Sequence, residues 1–87
     1  MKEAEKVLKA LASRRRLEIL KTLRKNDALS VGEIADEIGL SFRSTSRHLN
    51  ILYHAGVLEQ ERKANLVEYR LAKPAPEILS RIFPLII

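Results

Sequence analysis

Four side chains that can donate or accept hydrogen bonds recur at helical spacing after Ser41. They follow an i, i+4, i+7, i+11 pattern and comprise Arg43, Arg47, Asn50 and His54. Because an α-helix turns about 100° per residue, the four would share one face of a helix. Arginine and asparagine can hydrogen-bond to base edges in the major groove of DNA, and no acidic residue lies between Ser41 and Leu58 to oppose such contacts. The pattern predicts a face that reads DNA.

The opposite face of the same segment is suited to a protein core. Thr45, Leu49 and Leu52 fall within about 60° of one another on a helical wheel. Ser44 and Ser46 flank the polar face, where hydroxyls and the free N–H groups at a helix start favour phosphate. A solvated basic helix packed on a core would have the same composition, so its surroundings must decide between the two interpretations.

Two residues near the boundary between the faces each have two interpretations. Phe42, in the first helical turn, could pack the helix against its neighbour or contact a thymine methyl group. His48 lies roughly 60° from the centre of the apolar face. We favour a partly buried histidine with a local hydrogen bond over a base-reading role, and a lone histidine does not predict a metal site.

Capping residues and apolar spacing predict the elements that would position this segment. The apolar residues recur at i, i+3, i+4, i+7 spacing in four helices, at about residues 2–12, 14–25, 31–38 and 42–55. Ser13, Ser30 and Ser41 are suitable N-caps, and Glu33 completes a capping box with Ser30. Gly39 suits the left-handed end of the third helix, and Gly56 that of the fourth. Two helices joined by a short glycine-containing turn are typical of a helix-turn-helix.

The periodicity changes from helix to strand after Gly56. Residues 57–62 and 66–71 alternate as two strands around "KAN", and Asn65 is expected to take the positive φ of a tight hairpin. Pro74 and Pro76 precede a last helix within about residues 75–87. We therefore predict a mainly α fold with a small β-hairpin, a winged helix-turn-helix in one domain over residues 1–87.

The composition limits the classes of function that we expect for the protein. The 87 residues carry a net charge of +5, which suits a polyanionic partner. There is no cysteine, so disulfides and thiolate metal sites are excluded. The chain contains no apolar run of the roughly 18 residues a membrane span needs, and its start lacks the apolar stretch of a signal peptide, so we expect a cytoplasmic protein. Ser and His alternate in "STSRH", but we find no catalytic constellation and expect neither an enzyme nor a cofactor.

Three stretches of the chain carry a family resemblance. The combination of "LASRRRLEILKTL", "LSVGEIADEIGLSFRSTSRHLNILYHAGVLEQER" and "VEYRLA" resembles the ArsR-type winged helix-turn-helix repressors of prokaryotes over about residues 4–73. The most specific part is "STSRHLNILYHAGVL". The resemblance implies a dimeric transcriptional regulator, expected to be a repressor, on a palindromic operator. Helix 42–55 would lie in the major groove of double-stranded DNA.

The resemblance also implies particular DNA contacts. Ser44, Ser46, Arg47 and His48 fall on the family's DNA-contact segment, and the wing tip, Arg62 and Lys63, would follow the minor groove or phosphates. Glu59 and Glu61 depart from this pattern, because an acidic first wing strand opposes close insertion. With the residues argued above, the predicted DNA-binding set is Phe42, Arg43, Ser44, Ser46, Arg47, His48, Asn50, Arg62 and Lys63.

Metal sensing is the clearest departure from the family. Its metal sensors carry paired cysteines in the helix that here reads "VGEIADEI", or His and Asp/Glu ligands on the last helix, where residues 74–87 offer only Glu77. Asp36 and Glu37 are better explained as surface charge. We predict no metal site, and a small-molecule effector stays unknown.

The family dimerises through its first and last helices, and both ends of this chain have apolar residues at suitable spacing. The predicted interface comprises Val7, Leu8, Leu11, Ile78, Ile82, Phe83 and Ile86. The apolar tail could instead fold back on its own subunit. A protein–protein interaction module in a larger assembly is the alternative function.

Overall fold

Five helices and three strands make up the part of the chain that the computed structural model describes, with backbone to residue 86 and side chains to residue 85. Along the chain they are α1 (Lys2–Leu11), α2 (Arg14–Lys25), β1 (Leu29–Ser30), α3 (Val31–Ile38), α4 (Phe42–His54), β2 (Leu58–Lys63), β3 (Leu66–Leu71) and α5 (Glu77–Ile86). α3, a short turn and α4 form a helix-turn-helix, and β2 and β3 form the wing. The predicted mainly α winged helix-turn-helix is confirmed.

The predicted caps set the helix boundaries. Ser30 Oγ accepts a hydrogen bond from the Glu33 N–H at 3.2 Å, while the Glu33 carboxylate accepts from the Ser30 N–H at 2.9 Å, which completes the capping box. Gly39 ends α3 at φ 66°, in the left-handed region that glycine occupies without strain. Ser41 Oγ then accepts from the Ser44 N–H at 3.1 Å and begins α4. These local bonds set the angular position of every α4 side chain.

The core lies where α2 meets the other helices and the sheet. Its fully buried apolar residues come from five segments and are Ile19, Leu20, Ile34, Leu49, Leu52, Val57 and Leu79. Burial of each such side chain stabilises the fold by roughly 1.5–3 kcal/mol before the entropy cost of ordering it. α4 supplies two of these residues, so its inner face is anchored in the core.

The sheet has one more strand than the sequence indicated. Its order is β1-β3-β2 with antiparallel neighbours, and Leu29 pairs with Tyr69. The sequence indicated only the two strands of the hairpin. Because β1 runs directly into α3, this pairing connects the base of the wing to the start of the helix-turn-helix.

The hairpin turn has its positive φ at a residue other than the predicted one. Lys63 pairs with Leu66, so Ala64 and Asn65 are the two turn residues. The positive φ, 38°, occurs at Ala64 and not at Asn65 as predicted. The first central residue of a two-residue hairpin turn has positive φ in both favoured turn types, and the register makes Ala64 that residue.

α5 packs on its own subunit. Leu79 is fully buried, and Ile78, Ile82 and Phe83 are half-buried against the same core. The Arg24 guanidinium lies 5.3 Å from the centre of the Phe83 ring, within the range of a cation–π contact. The helix begins at Glu77, directly after Pro76, and continues through Pro84. No helix among residues 1–86 is long and apolar enough to cross a membrane.

Candidate nucleic-acid interface

The two faces of α4 separate as the helical wheel predicted. Thr45, Leu49 and Leu52 are fully buried. The exposed side chains on the other side are Arg43, Arg47, Asn50 and His54, while Ser44 and Ser46 are half-buried between the two faces. The outward face therefore carries hydrogen-bond donors and positive charge with no acid on the helix.

Phe42 does not pack α4 against its neighbour. Its side chain is 63% exposed, so the first of its two interpretations is wrong. The ring borders a groove between α4 and the wing that Asn50, Tyr53 and Arg62 also line. An exposed aromatic ring beside this groove is open to contact from outside the subunit.

His48 is half-buried, as we favoured, but its contact is with another helix and is not local. Its Nδ1 lies 3.1 Å from Nη1 of Arg16 on α2. Burial lowers the pKa of His48 below its usual value, and the nearby positive charges of Arg16, Arg47 and Arg15 lower this pKa further. The neutral imidazole is therefore the favoured form.

Two arginines in the first turn of α2 connect the helices around α4. Arg15 Nη1 donates to the Ile38 carbonyl at the end of α3 at 2.6 Å, and Arg16 Nε donates to the Ala10 carbonyl at the end of α1 at 2.6 Å. Sequence reasoning did not identify either contact. The sequence did contain a sign of these contacts. Arginines at a helix N-terminus are unfavourable for the helix dipole, and the first turn of α2 contains no acid to pair with them, which suggests partners outside the helix.

Ion pairs within the wing occupy most of its charges. Arg70 lies 3.1 Å from Glu59 and 3.7 Å from Glu61, and Lys63 lies 3.0 Å from Glu68. A hydrogen bond from the Lys73 N–H, followed by the Arg70 side chain, lowers the pKa of Glu59 below its usual range. The two acids that opposed a DNA contact, Glu59 and Glu61, thus share one positive partner, whose charge offsets part of theirs.

Arg62 stands apart from these pairs near the wing tip. It is exposed and belongs to no ion pair in the described part of the chain. Lys63 and Arg62 were predicted as equivalent contacts, but their surroundings differ.

Asp36 and Glu37 are exposed on α3, and among the residues that the structure describes no cluster of three or more His, Asp or Glu side chains could hold a metal ion.

The residues predicted for the dimer interface differ in their burial. Val7 and Leu11 are buried within the core of their own subunit, whereas Leu8 is 48% exposed. Ile78, Ile82 and Phe83 are half-buried against that core, as described above, and the side chain of Ile86 lies outside the described residues. Leu85, which we did not predict, is 83% exposed on α5. Among the described residues, the large apolar side chains exposed on these two helices are thus Leu8 and Leu85.

Comparisons with known proteins identify a family. Residues 11–61 match the family model of a helix-turn-helix domain. The transcriptional activator HlyU of Vibrio cholerae is 38% identical over 81 residues, which is 88% of this chain and 74% of HlyU. The transcriptional repressor SdpR of Bacillus subtilis is 38% identical over 65 residues, covering 75% of this chain and 71% of SdpR.

A solved structure shares the architecture described above. The solution structure of the homodimeric winged helix-turn-helix DNA-binding domain Mb0332 from Mycobacterium bovis, a possible ArsR-family transcriptional regulator, superposes with a TM-score of 0.80 at 33% identity. The match covers 97% of this chain and 74% of that one. The resemblance inferred from the sequence is confirmed, and the chain belongs to the ArsR-type family of winged helix-turn-helix transcriptional regulators.

Proposed function

We propose that the protein is a homodimeric transcriptional repressor that binds a palindromic DNA operator. The observation that carries the proposal is the outward face of α4, where Arg43, Arg47 and Asn50 are exposed on a helix without acids. Arginine bonds preferentially to guanine and asparagine to adenine in the major groove, so this face can discriminate between base pairs.

The other proposed contacts surround this face. Ser44 and Ser46 donate to phosphates near the start of α4, and Phe42 contacts a thymine methyl group from its exposed position. Arg62, with Lys63 in a lesser role, follows the DNA backbone from the wing. His48, at the edge of the outward face, is the last of the proposed DNA contacts. These phosphate contacts fix the register of α4, whereas the base contacts provide specificity.

Dimerisation through α1 and α5 would supply two copies of α4. A single domain over residues 1–87 would then contain both the DNA-binding face and the dimerisation helices. In a symmetric dimer the recognition helices enter successive major grooves about 34 Å apart, which explains why the operator would be palindromic. The exposed Leu8 and Leu85 support this arrangement, because apolar side chains on both terminal helices would gain from burial.

Repression would follow from occupancy of the operator. Among the relatives, HlyU is named an activator and SdpR a repressor. A protein that occupies two successive major grooves excludes polymerase from the same sites, so we propose repression by exclusion, in the cytoplasm and without catalysis. A promoter–reporter fusion with the operator across the start site should lose expression when the protein is present.

Selection of bound sites from random duplex DNA, repeated at two salt concentrations, tests the proposal. We expect a palindrome whose affinity falls steeply with salt, because every phosphate contact releases a counterion. Arg47→Ala should weaken binding by about 1–3 kcal/mol, whereas Arg14→Ala, which removes an exposed arginine from α2, should have a much smaller effect. Absence of any enriched sequence, together with salt-insensitive binding to another protein, would instead support an interaction module.

A further inference from the structure

We propose that Arg16 is a positioning residue for DNA recognition, which holds His48 in the tautomer whose Nε2–H donates to a DNA phosphate. The inference rests on the proposed DNA-binding function and extends it to a residue outside α4. It concerns two side chains from different helices, whose contact spans 32 residues of sequence.

The guanidinium of Arg16 is held in place from two sides. Nε donates to the Ala10 carbonyl at 2.6 Å, and Nη2 lies 3.5 Å from the Lys9 carbonyl. These carbonyls belong to the last turn of α1, where backbone carbonyls attract a cation. The Lys9 carbonyl also accepts a hydrogen bond from the Ala12 N–H at 3.3 Å. The remaining nitrogen, Nη1, lies 3.1 Å from Nδ1 of His48. The contacts with α1 thus fix the orientation of the Arg16 guanidinium independently of its contact with α4.

This contact determines which imidazole nitrogen carries the proton. A guanidinium only donates hydrogen bonds, so Nδ1 of His48 must accept. The proton of the neutral ring then lies on Nε2. An imidazolium would carry protons on both nitrogens and could not accept from Arg16. The lowered pKa of His48 agrees with the neutral form.

The Nε2–H group is available for an acceptor from outside the protein. Among the described residues His48 forms a ring hydrogen bond only at Nδ1, so its Nε2 has no partner within the protein. The only side-chain polar atom of the described residues that is both buried and unpartnered is Thr45 Oγ1, so Nε2 of His48 is accessible from outside. His48 lies at the edge of the outward face, whereas Arg43, Arg47 and Asn50 occupy its centre. A phosphate oxygen beside the groove therefore suits His48 better than a base edge.

The charges around His48 also favour a phosphate. Arg15 and Arg16 of α2 and Arg47 of α4 act on the imidazole. Lys6 and Lys9 of α1 line the adjoining cleft together with Arg16 and Arg47. All five side chains are cationic, so an anion placed beside this edge is attracted from three helices.

The tautomer can be observed directly without DNA. In the full-length protein labelled with ¹⁵N, long-range ¹H–¹⁵N correlations of the imidazoles at neutral pH should show His48 as the Nε2–H tautomer, with His54 as a second ring in the same spectrum. Arg16→Gln should produce a mixture of tautomers, whereas Arg14→Gln should not. Arg14 is a matched control because it lies in the same helical turn, is 91% exposed and, among the described residues, forms an ion pair only with Glu18. A Nδ1–H tautomer, or an identical spectrum for Arg16→Gln, would overturn the inference.

Affinity for the selected operator tests the consequence for recognition. Arg16→Gln should weaken binding about tenfold, as expected for one charge-assisted hydrogen bond. Arg14→Gln should weaken it less than about threefold, because it removes only a distant charge. When His48→Ala is already present, Arg16→Gln should cost no more than Arg14→Gln, because the effect of Arg16 is transmitted through His48.

Two substitutions of His48 keep the test independent of how Arg16 affects folding. The amide of glutamine can place a donor near the position of Nε2, whereas asparagine can place an acceptor near Nδ1. His48→Gln should therefore bind the operator more tightly than His48→Asn. The reverse order would show that His48 only anchors α4 to Arg16. If the wild-type protein itself binds no DNA, the proposed function fails, and the tautomer measurement still decides the Arg16–His48 contact.

Discussion

Arg15 Nη1 donates a hydrogen bond to the carbonyl oxygen of Ile38 at 2.6 Å, across 23 residues of sequence. This carbonyl lies in the last turn of α3, immediately before the turn into α4, so the bond holds the helix-turn-helix against α2. Arg15→Met keeps the apolar part of the side chain and removes the donor. We expect the free energy of unfolding to fall by about 1 kcal/mol, measured by urea denaturation.

Arg14→Met is the control for that measurement, because it removes the same charge from the same turn without a tertiary partner. Arg15 also pairs with Glu18 at 3.1 Å, but such exposed pairs contribute little. Equal stability of the two variants would show that the Ile38 contact does not stabilise the fold.

Thr45 offers a substitution that separates stability from recognition. Its hydroxyl is fully buried and has no hydrogen-bond partner in the described structure. Thr45→Val has nearly the same shape and removes the unsatisfied hydroxyl, so the free energy of unfolding should rise by about 1 kcal/mol. Urea denaturation measures this change. Operator affinity should be unchanged because the residue faces the core, and a loss of stability would indicate a bridging partner for the hydroxyl.

The two basic residues of the wing tip should differ in their effect on DNA binding. Lys63 is paired with Glu68 at 3.0 Å, whereas Arg62 has no such partner among the described residues. Arg62→Ala should lower operator affinity and reduce the slope of its salt dependence by about 1, as for one phosphate contact. Lys63→Ala should have the smaller effect in fluorescence anisotropy at several salt concentrations. Equal effects would mean that Lys63 leaves Glu68 when DNA binds.

The stability of the folded protein should depend on pH through His48. Its pKa in the folded protein lies below the ordinary value of 6.5, chiefly because burial disfavours the charged ring. As pH falls below about 6.5, the unfolded chain takes up a proton at this residue before the folded protein does, so the free energy of unfolding decreases. The contribution of His48 to the free energy of unfolding is complete above pH 6.5 and is lost as the pH falls towards the lowered pKa.

Urea denaturation at neutral pH and about one pH unit below 6.5 measures this contribution. His48→Gln has no titrating ring and should lose less stability over the interval than the wild type does. Carboxylates titrate in both proteins, so the difference between them isolates His48. The same pH dependence in both would contradict the assigned environment of the imidazole.

Leu8 is the residue of choice for testing dimerisation. Val7 and Leu11 are buried within their own subunit, so changing either would damage the fold itself. Leu8→Glu places a charge on an exposed position and should shift a dimer toward monomer at tens of micromolar, measured by size exclusion with light scattering. Lys2→Glu introduces the same residue at another exposed position of α1 and should leave the dimer intact. A wild-type monomer would contradict the dimer proposal.

The local sequence determined the helix boundaries and the orientation of α4. Ser30 with Glu33, Gly39 and Ser41 act through bonds within a few residues, so their effect can be predicted without a tertiary structure. The division of α4 into a buried and an exposed face follows from the 3.6-residue period. The family resemblance came from the same stretches, because they combine the turn, the polar face and the start of the wing.

Only the tertiary structure decided which partners the polar side chains have. The contacts of Arg15 with Ile38 and of Arg16 with His48 span 23 and 32 residues, and no local spacing encodes them. The additional strand, β1, has two residues and is too short to show a periodicity of its own. Periodicity determines which face of an element is buried, whereas the approach of separate elements determines what each polar group meets. For that reason the sequence alone predicted the outward polar face of α4, and the fold revealed the contacts of Arg15 and Arg16 around it.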